Sequence, residues 1–255
     1  IPYYLNALIS STTPLRLFKA SAPENQQYLD DHNKERLKSA EVASALKELS
    51  TCLASDKTPD STLSETDLAG IQFLWQRAHS CVESDQSDSA ILHYQEIART
   101  TTGPLHDLSV YVTALCQSRQ GAYSAALETL TPFLRRNTSS PQPAKKKRPP
   151  PPAQIVQAFL ANHARTRAGY CYFHQGKYPN AEALLVQGRD SPATAYLLAQ
   201  TYEFQGKVPQ ALATYQNIST LPDNTLAARS RCALARIASL KEPLSRLRTR
   251  KNPEV

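Results

Sequence analysis

The chain has no methionine, one tryptophan and only seven glycines in 255 residues. The missing methionine leads us to expect a chain that starts inside a longer or processed product, from which an N-terminal targeting peptide would already be gone. Proline outnumbers glycine, 18 to 7, and the prolines cluster, which points to a local linker and not to a loop-rich fold. No apolar run approaches the length of a membrane span, so none is expected. Five cysteines (Cys52, Cys81, Cys116, Cys171, Cys232) lie far apart with no CxxC pair. Such an odd, scattered set fits reduced thiols in an intracellular protein. The six histidines form neither HExxH nor a Cys/His cluster, so no metal or cofactor is expected. There is no Ser/His/Asp or Cys/His arrangement, paired-carboxylate motif, P-loop or GxGxxG, and the chain is read as no enzyme.

What is present is charge in two places. The formal net charge is +7 and the pI about 9.2. Lys145, Lys146, Lys147 and Arg148 supply four positive charges in one run. Arg229, Arg231, Arg236, Lys241, Arg246, Arg248, Arg250 and Lys251 face only Glu242 and Glu254 near the C-terminus. The middle is close to neutral. Local excess of this kind suggests an acidic partner or a sorting signal more than general nucleic-acid binding.

Repetition is the strongest signal. "GYCYFHQGKYPNAEALL", Gly169 to Leu185, recurs thirty residues on: Gln175-Gly176-Lys177 returns as Gln205-Gly206-Lys207, Tyr172 as Tyr202 and Ala181 as Ala211. A large residue, Leu185 or Tyr215, follows each Ala by four. Two weaker copies keep these offsets: Ala114, Gln117, Gly121, Ala126 and Leu130; and Ala78, Cys81, Ala90 and Tyr94, with Leu74 and Trp75 near its start. Helix packing explains the pattern. Small residues let paired helices approach, tyrosines fill the space between them, and the turn glycine ends the first helix.

These residues resemble the tetratricopeptide repeat (TPR) family, W-x2-L-G-x2-Y…A-x3-F…P, over about 68–223. The motif's Trp position is filled by Leu74, Val110, Arg165 and Ala195, and Arg77 and Thr113 replace its Leu. The resemblance implies an all-α, TPR-type α-solenoid of antiparallel helix pairs whose groove binds peptides or protein helices. The chaperone-tail clamp of some members is largely missing: its positions hold Trp75, His79, Tyr111, Leu115, Thr166 and Tyr170, and only Arg167 and Arg231 look clamp-like. The layout of a helix pair, a basic proline-rich insertion, then "YCYFHQGKY" and "AYLLAQTYEFQGK" is also similar to the N-terminal TPR region of anaphase-promoting complex scaffold subunits, subunit seven in particular. Those regions form homodimers in a ubiquitin ligase.

The expected organisation is an N-terminal segment at 1–32, a helix and linker at 33–67, two units at 68–136, an insertion loop at 137–153, two units at 154–223 and a basic capping helix and tail at 224–255. Partner contact is expected at groove positions Trp75, His79, Tyr111, Arg167, Tyr170, Tyr196 and Gln200. Tyr172, Tyr178, Tyr202 and Tyr215 are read as core, against the alternative of a nucleic-acid stacking platform. Cys171 is read as a buried structural thiol rather than a nucleophile facing His174.

Lys145 to Arg148 reads as a nuclear localisation signal, a solvated basic loop or an anchor on an acidic partner. Arg229, Arg231, Arg236, Arg246, Arg248, Arg250 and Lys251 read as a solvated helix face or a contact for an acidic partner. The function expected is a non-enzymatic scaffold or adaptor subunit of a multiprotein assembly of the nuclear ubiquitin-ligase type, with other protein subunits, or a second copy, as partners. The alternative is a subunit of an organellar or ribonucleoprotein complex that meets RNA or acidic partners through the C-terminus. Nucleus or cytoplasm is the expected location, with an organellar matrix as the alternative.

Overall fold

The protein was analysed as a computed structural model that describes residues 45–49, 51, 65–135, 151–188, 191–221 and 225–250. The expected segment 1–32 and nearly all of the insertion at 137–153 lie outside the described residues. Among the described residues the fold is all-α, with no strand: α1 (Glu65–Glu83), α2 (Ser87–Thr100), α3 (Gly103–Arg119), α4 (Tyr123–Arg135), α5 (Pro152–His174), α6 (Tyr178–Leu185), a 3-10 turn (Val186–Gly188), α7 (Pro192–Phe204), α8 (Val208–Ser219) and α9 (Thr225–Arg250). Proline does more than mark the insertion. Pro104, Pro179, Pro192 and Pro209 sit in the first turns of α3, α6, α7 and α8, where the missing N–H has no helical partner to lose.

The chain separates into two compact units, one ending at Cys171 and one starting at Tyr172. The division falls inside α5 rather than at the proline-rich insertion. In the first unit, α1 packs on α2, α2 on α3 and α3 on α4. α3 is covered nearly all round: Leu105, Leu108, Tyr111, Val112, Ala114, Leu115 and Cys116 are buried. Its hydroxyls are satisfied by its own backbone, with Ser109 Oγ donating to Leu105 O and Thr113 Oγ1 to Ser109 O, both at 2.9 Å. In the second unit, α6 packs on α7, α7 on α8 and α8 on α9. Ala199, Ala211, Tyr215, Ala233 and Ile237 form one core cluster there, and Ala181, Leu185 and Leu198 another.

Four turns share one hydrogen-bond pattern. After α5, Gly176 N–H donates to Phe173 O (3.0 Å) and Lys177 N–H to Tyr172 O (2.9 Å). After α7, Gly206 N–H donates to Glu203 O (3.0 Å) and Lys207 N–H to Tyr202 O (2.9 Å). After α3, Gly121 donates to Ser118 O and Ala122 to Gln117 O; after α1, Asp85 donates to Val82 O and Gln86 to Cys81 O. Each is a Schellman closure, with the middle residue left-handed so that the chain can reverse. The middle residue is glycine at 121, 176 and 206, at φ 80°, 72° and 72°. At 85 it is aspartate, at φ 63°.

The next backbone bond is also shared. Ala90, Ala126, Ala181 and Ala211 N–H donate to the carbonyls of Gln86, Ala122, Lys177 and Lys207. All four alanines are fully buried, as are Ala78, Ala114 and Ala199 one helix earlier. Four residues beyond each, Tyr94, Leu130, Leu185 and Tyr215 are buried in turn. The recurring offsets of the sequence therefore have recurring backbone geometry beneath them.

Candidate interaction surface

The seven expected groove residues divide into three that are buried and four that reach the surface. Trp75, His79 and Tyr111 are exposed by only 0%, 1% and 2%. Trp75 meets Tyr94 edge to face with ring centroids 5.1 Å apart. Tyr111 stands edge-on to Phe133 and His163 at 6.3 and 6.4 Å. His79 Nδ1 lies 3.9 Å from a carboxylate oxygen of Glu83, one turn on. Trp75 and Tyr111 pack between helices, and all three side chains are buried where the expectation had them lining an open groove. Large aromatic surface is worth more between helices than in water.

Arg167 and Tyr170 on α5 are half-buried and are brought together. The Arg167 guanidinium lies 5.3 Å from the Tyr170 ring centroid, a cation–π contact. Tyr123 packs edge-on to Tyr170 from α4, with centroids 6.3 Å apart. Burial raises the pKa of the Tyr111 hydroxyl, and the charge of Arg167 beside it partly offsets that rise. Burial and then Arg167 lower the pKa of His163. Tyr170 is raised first by burial and then by Tyr123. Arg167 thus stands beside aromatic rings, and burial keeps the Tyr111 and Tyr170 hydroxyls neutral at pH 7.

Tyr196 and Gln200 are half-buried on α7, one turn apart and therefore on one face. The Tyr196 ring stands 5.7 Å from that of Tyr215. Its pKa is raised by burial and held back by Arg229 and Arg236. Of the basic C-terminal residues, Arg236 is tied to Glu203 at 2.6 Å and Arg231 donates weakly to Ser219 O at 3.4 Å. Arg246, Arg248 and Arg250 lie on α9 with side chains outside the described residues. Lys145, Lys146, Lys147, Arg148 and Lys251 also lie outside them.

Of the four tyrosines expected in the core, Tyr215 is fully buried; Tyr172, Tyr178 and Tyr202 are half-buried. Tyr178 stacks on Phe204 at 5.4 Å, and Phe204 is itself 61% exposed. Burial pushes the Cys171 thiol up to about 11 and the Cys116 thiol up to about 12, so neither is a thiolate at neutral pH. His174 is exposed, its ring edge-on to Phe173 at 5.4 Å.

Polar ties between successive helices are absent from the expectation. Arg119 binds Asp85 at 2.9 Å, Gln120 Nε2 donates to Asp88 Oδ1 at 2.7 Å, and Lys207 binds Glu182 at 2.6 Å. The first two pairs stand 34 and 32 residues apart, close to one repeat length, as do Arg236 and Glu203 at 33; Lys207 and Glu182 stand 25 apart. Opposite charges spaced by one repeat are the signal that would have found the Arg119–Asp85 and Arg236–Glu203 pairs. Among the described residues there is no group of His, Cys, Asp and Glu able to hold a metal, and no helix is long and apolar enough to cross a membrane.

No family model, curated protein or solved structure matches this chain.

Proposed function

We propose that this chain is a TPR-type scaffold, a non-enzymatic subunit that holds other proteins through surface residues of its first-position helices. The observation that carries the reading is the fourfold recurrence of one turn, with its left-handed residue, its pair of reverse hydrogen bonds and the buried alanine after it. Repeated helix pairs present side chains at regular spacing within each unit, which suits recognition of an extended or helical segment. Arg167 with Tyr170, and Tyr196 with Gln200, are the contact residues in this reading. The assembly is of the nuclear ubiquitin-ligase type in the same reading, with Lys145 to Arg148 as its import signal.

Replacing Tyr170 and Tyr196 together by Ala tests it. Quantitative co-purification should lose its principal bound subunit by about tenfold or more, as removal of aromatic hot-spot residues does. Circular dichroism should show unchanged helicity, because both side chains are only half-buried. Undiminished recovery of every bound protein from the double variant would remove this surface from the proposal.

A further inference from the structure

Arg167 is half-buried in the first unit, and among the described residues no carboxylate pairs with it. Arg99, Arg119, Lys207 and Arg236 each have such a partner, in Glu96, Asp85, Glu182 and Glu203. The Arg167 guanidinium instead lies 5.3 Å from the Tyr170 ring centroid and donates to the Tyr111 hydroxyl. Tyr123 stands edge-on to Tyr170 at 6.3 Å, and His163 to Tyr111 at 6.4 Å. Tyr111, His163, Tyr170, Cys116 and Cys171 all feel the charge of Arg167, and no carboxylate acts on any of them. Burial keeps all five neutral at pH 7. Arg119, which also acts on Cys116, is already tied to Asp85.

A guanidinium offers five N–H donors in a planar fork, and Tyr111 takes one. What such a group lacks here is an anion, and bonds between ionised partners are the strong ones. The amount of charge chooses the anion. A phosphate carries nearly two negative charges, and one cation leaves the second facing tyrosine rings. A clamp for a chain terminus needs further cations, but Trp75, His79 and Tyr111 fill the corresponding positions and are buried. One carboxylate matches one guanidinium, two oxygens on two N–H groups. The rings of Tyr170 and Tyr123 beside it offer cover to an apolar neighbour of that carboxylate. We propose that Arg167 and Tyr170 receive an internal Asp or Glu side chain of a partner protein, next to an aromatic or large apolar residue. This names the partner chemistry of the contact face proposed above and rests on that reading.

The test uses the full chain and four probes: acetyl-Glu-Phe-amide, acetyl-Gln-Phe-amide, acetyl-Gln-Phe with a free terminal carboxylate, and acetyl-phosphoserine-Phe-amide. Binding is followed by the Arg167 Nε–H resonance and by the ring signals of Tyr170 and Tyr123. The Glu probe should shift Arg167 and bind about tenfold or more tightly than the Gln amide, roughly the worth of a charge-assisted hydrogen bond. Arg167→Gln should bring the Glu probe down to the level of the Gln amide, with helicity unchanged by circular dichroism. A Glu probe no tighter than the Gln amide, a terminal carboxylate or phosphoserine as tight as Glu, or an Arg167 resonance that stays still would overturn the assignment. The probe ratio is read on the wild-type chain, so it decides the matter even if the variant does not fold. Failure of the contact face itself reads differently: the Tyr170 and Tyr196 double variant then keeps every co-purified protein, whatever the probe ratio.

Discussion

The turn that closes α1 and the turn that closes α7 make the same two reverse hydrogen bonds, one around Asp85 and the other around Gly206. Both residues sit near φ 60–70°, where a side chain is strained and glycine is not. Four residues after the following alanine, each helix pair places a buried tyrosine, Tyr94 or Tyr215. Tyr215 OH donates to Glu203 Oε2 at 3.2 Å, while the buried Tyr94 hydroxyl has no hydrogen-bond partner among the described residues. The last pair is thus better fitted at two positions where the first is the same in outline. Backbone geometry is shared more widely than the residues that suit it.

Five changes break or sharpen that comparison. The largest effect is expected from Gly206→Val. A Cβ at this position meets nothing within 4 Å, so the cost is conformational, about 2 kcal/mol, and denaturant unfolding should show it. Next, the two tyrosines should respond with opposite signs. Tyr215→Phe loses the bond to Glu203 and costs about 1 kcal/mol; Tyr94→Phe removes an unpaired buried hydroxyl and gains about as much. Equal effects of the same sign would show that the hydroxyl partners do not matter.

Asp85→Gly relieves the left-handed strain and should raise stability by about 0.5–1 kcal/mol. The lost pair with Arg119 subtracts little, because the Asp85 side chain is 65% exposed. A drop in melting temperature would mean that the ion pair outweighs the strain.

The smallest effect concerns Glu182, whose pKa is lowered first by its hydrogen bond from Lys207. A carboxyl lowered in the folded state contributes stability above its ordinary value of 4.5, and that contribution is lost as the pH falls through the depressed value. Glu182→Gln should flatten the acid limb of the stability curve in that window. An unchanged limb would assign the acid sensitivity to other carboxylates.

Much of the fold was legible because two residue types have few alternatives. A left-handed helix end calls for glycine, and a close helix crossing calls for alanine, so Gly121, Gly176 and Gly206 with Ala126, Ala181 and Ala211 betray their roles by spacing alone. The first turn is less legible, since Asp85 gives no such signal. α3 is buried nearly all round, and a helix with so little polar face shows little periodicity to read. The surface was less legible than the fold. Trp75, His79 and Tyr111 occupy positions that a repeat motif assigns to a groove, yet size and neighbours draw them inward: Trp75 finds Tyr94, and Tyr111 finds Phe133 and His163. Motif register says where along a helix a residue stands, and packing decides whether it meets solvent.

The four Schellman turns also bear on how the chain reaches this structure. Their hydrogen bonds join residues three and five apart, and helices pack chiefly on their neighbours in sequence. Contacts so local require little loop closure before they repay it, and helical proteins of this kind fold in microseconds to milliseconds. Each turn that closes aligns two helices at once, and so each is a place where folding can nucleate. Asp85 sets the first of these turns apart from the three that glycine closes, at Gly121, Gly176 and Gly206.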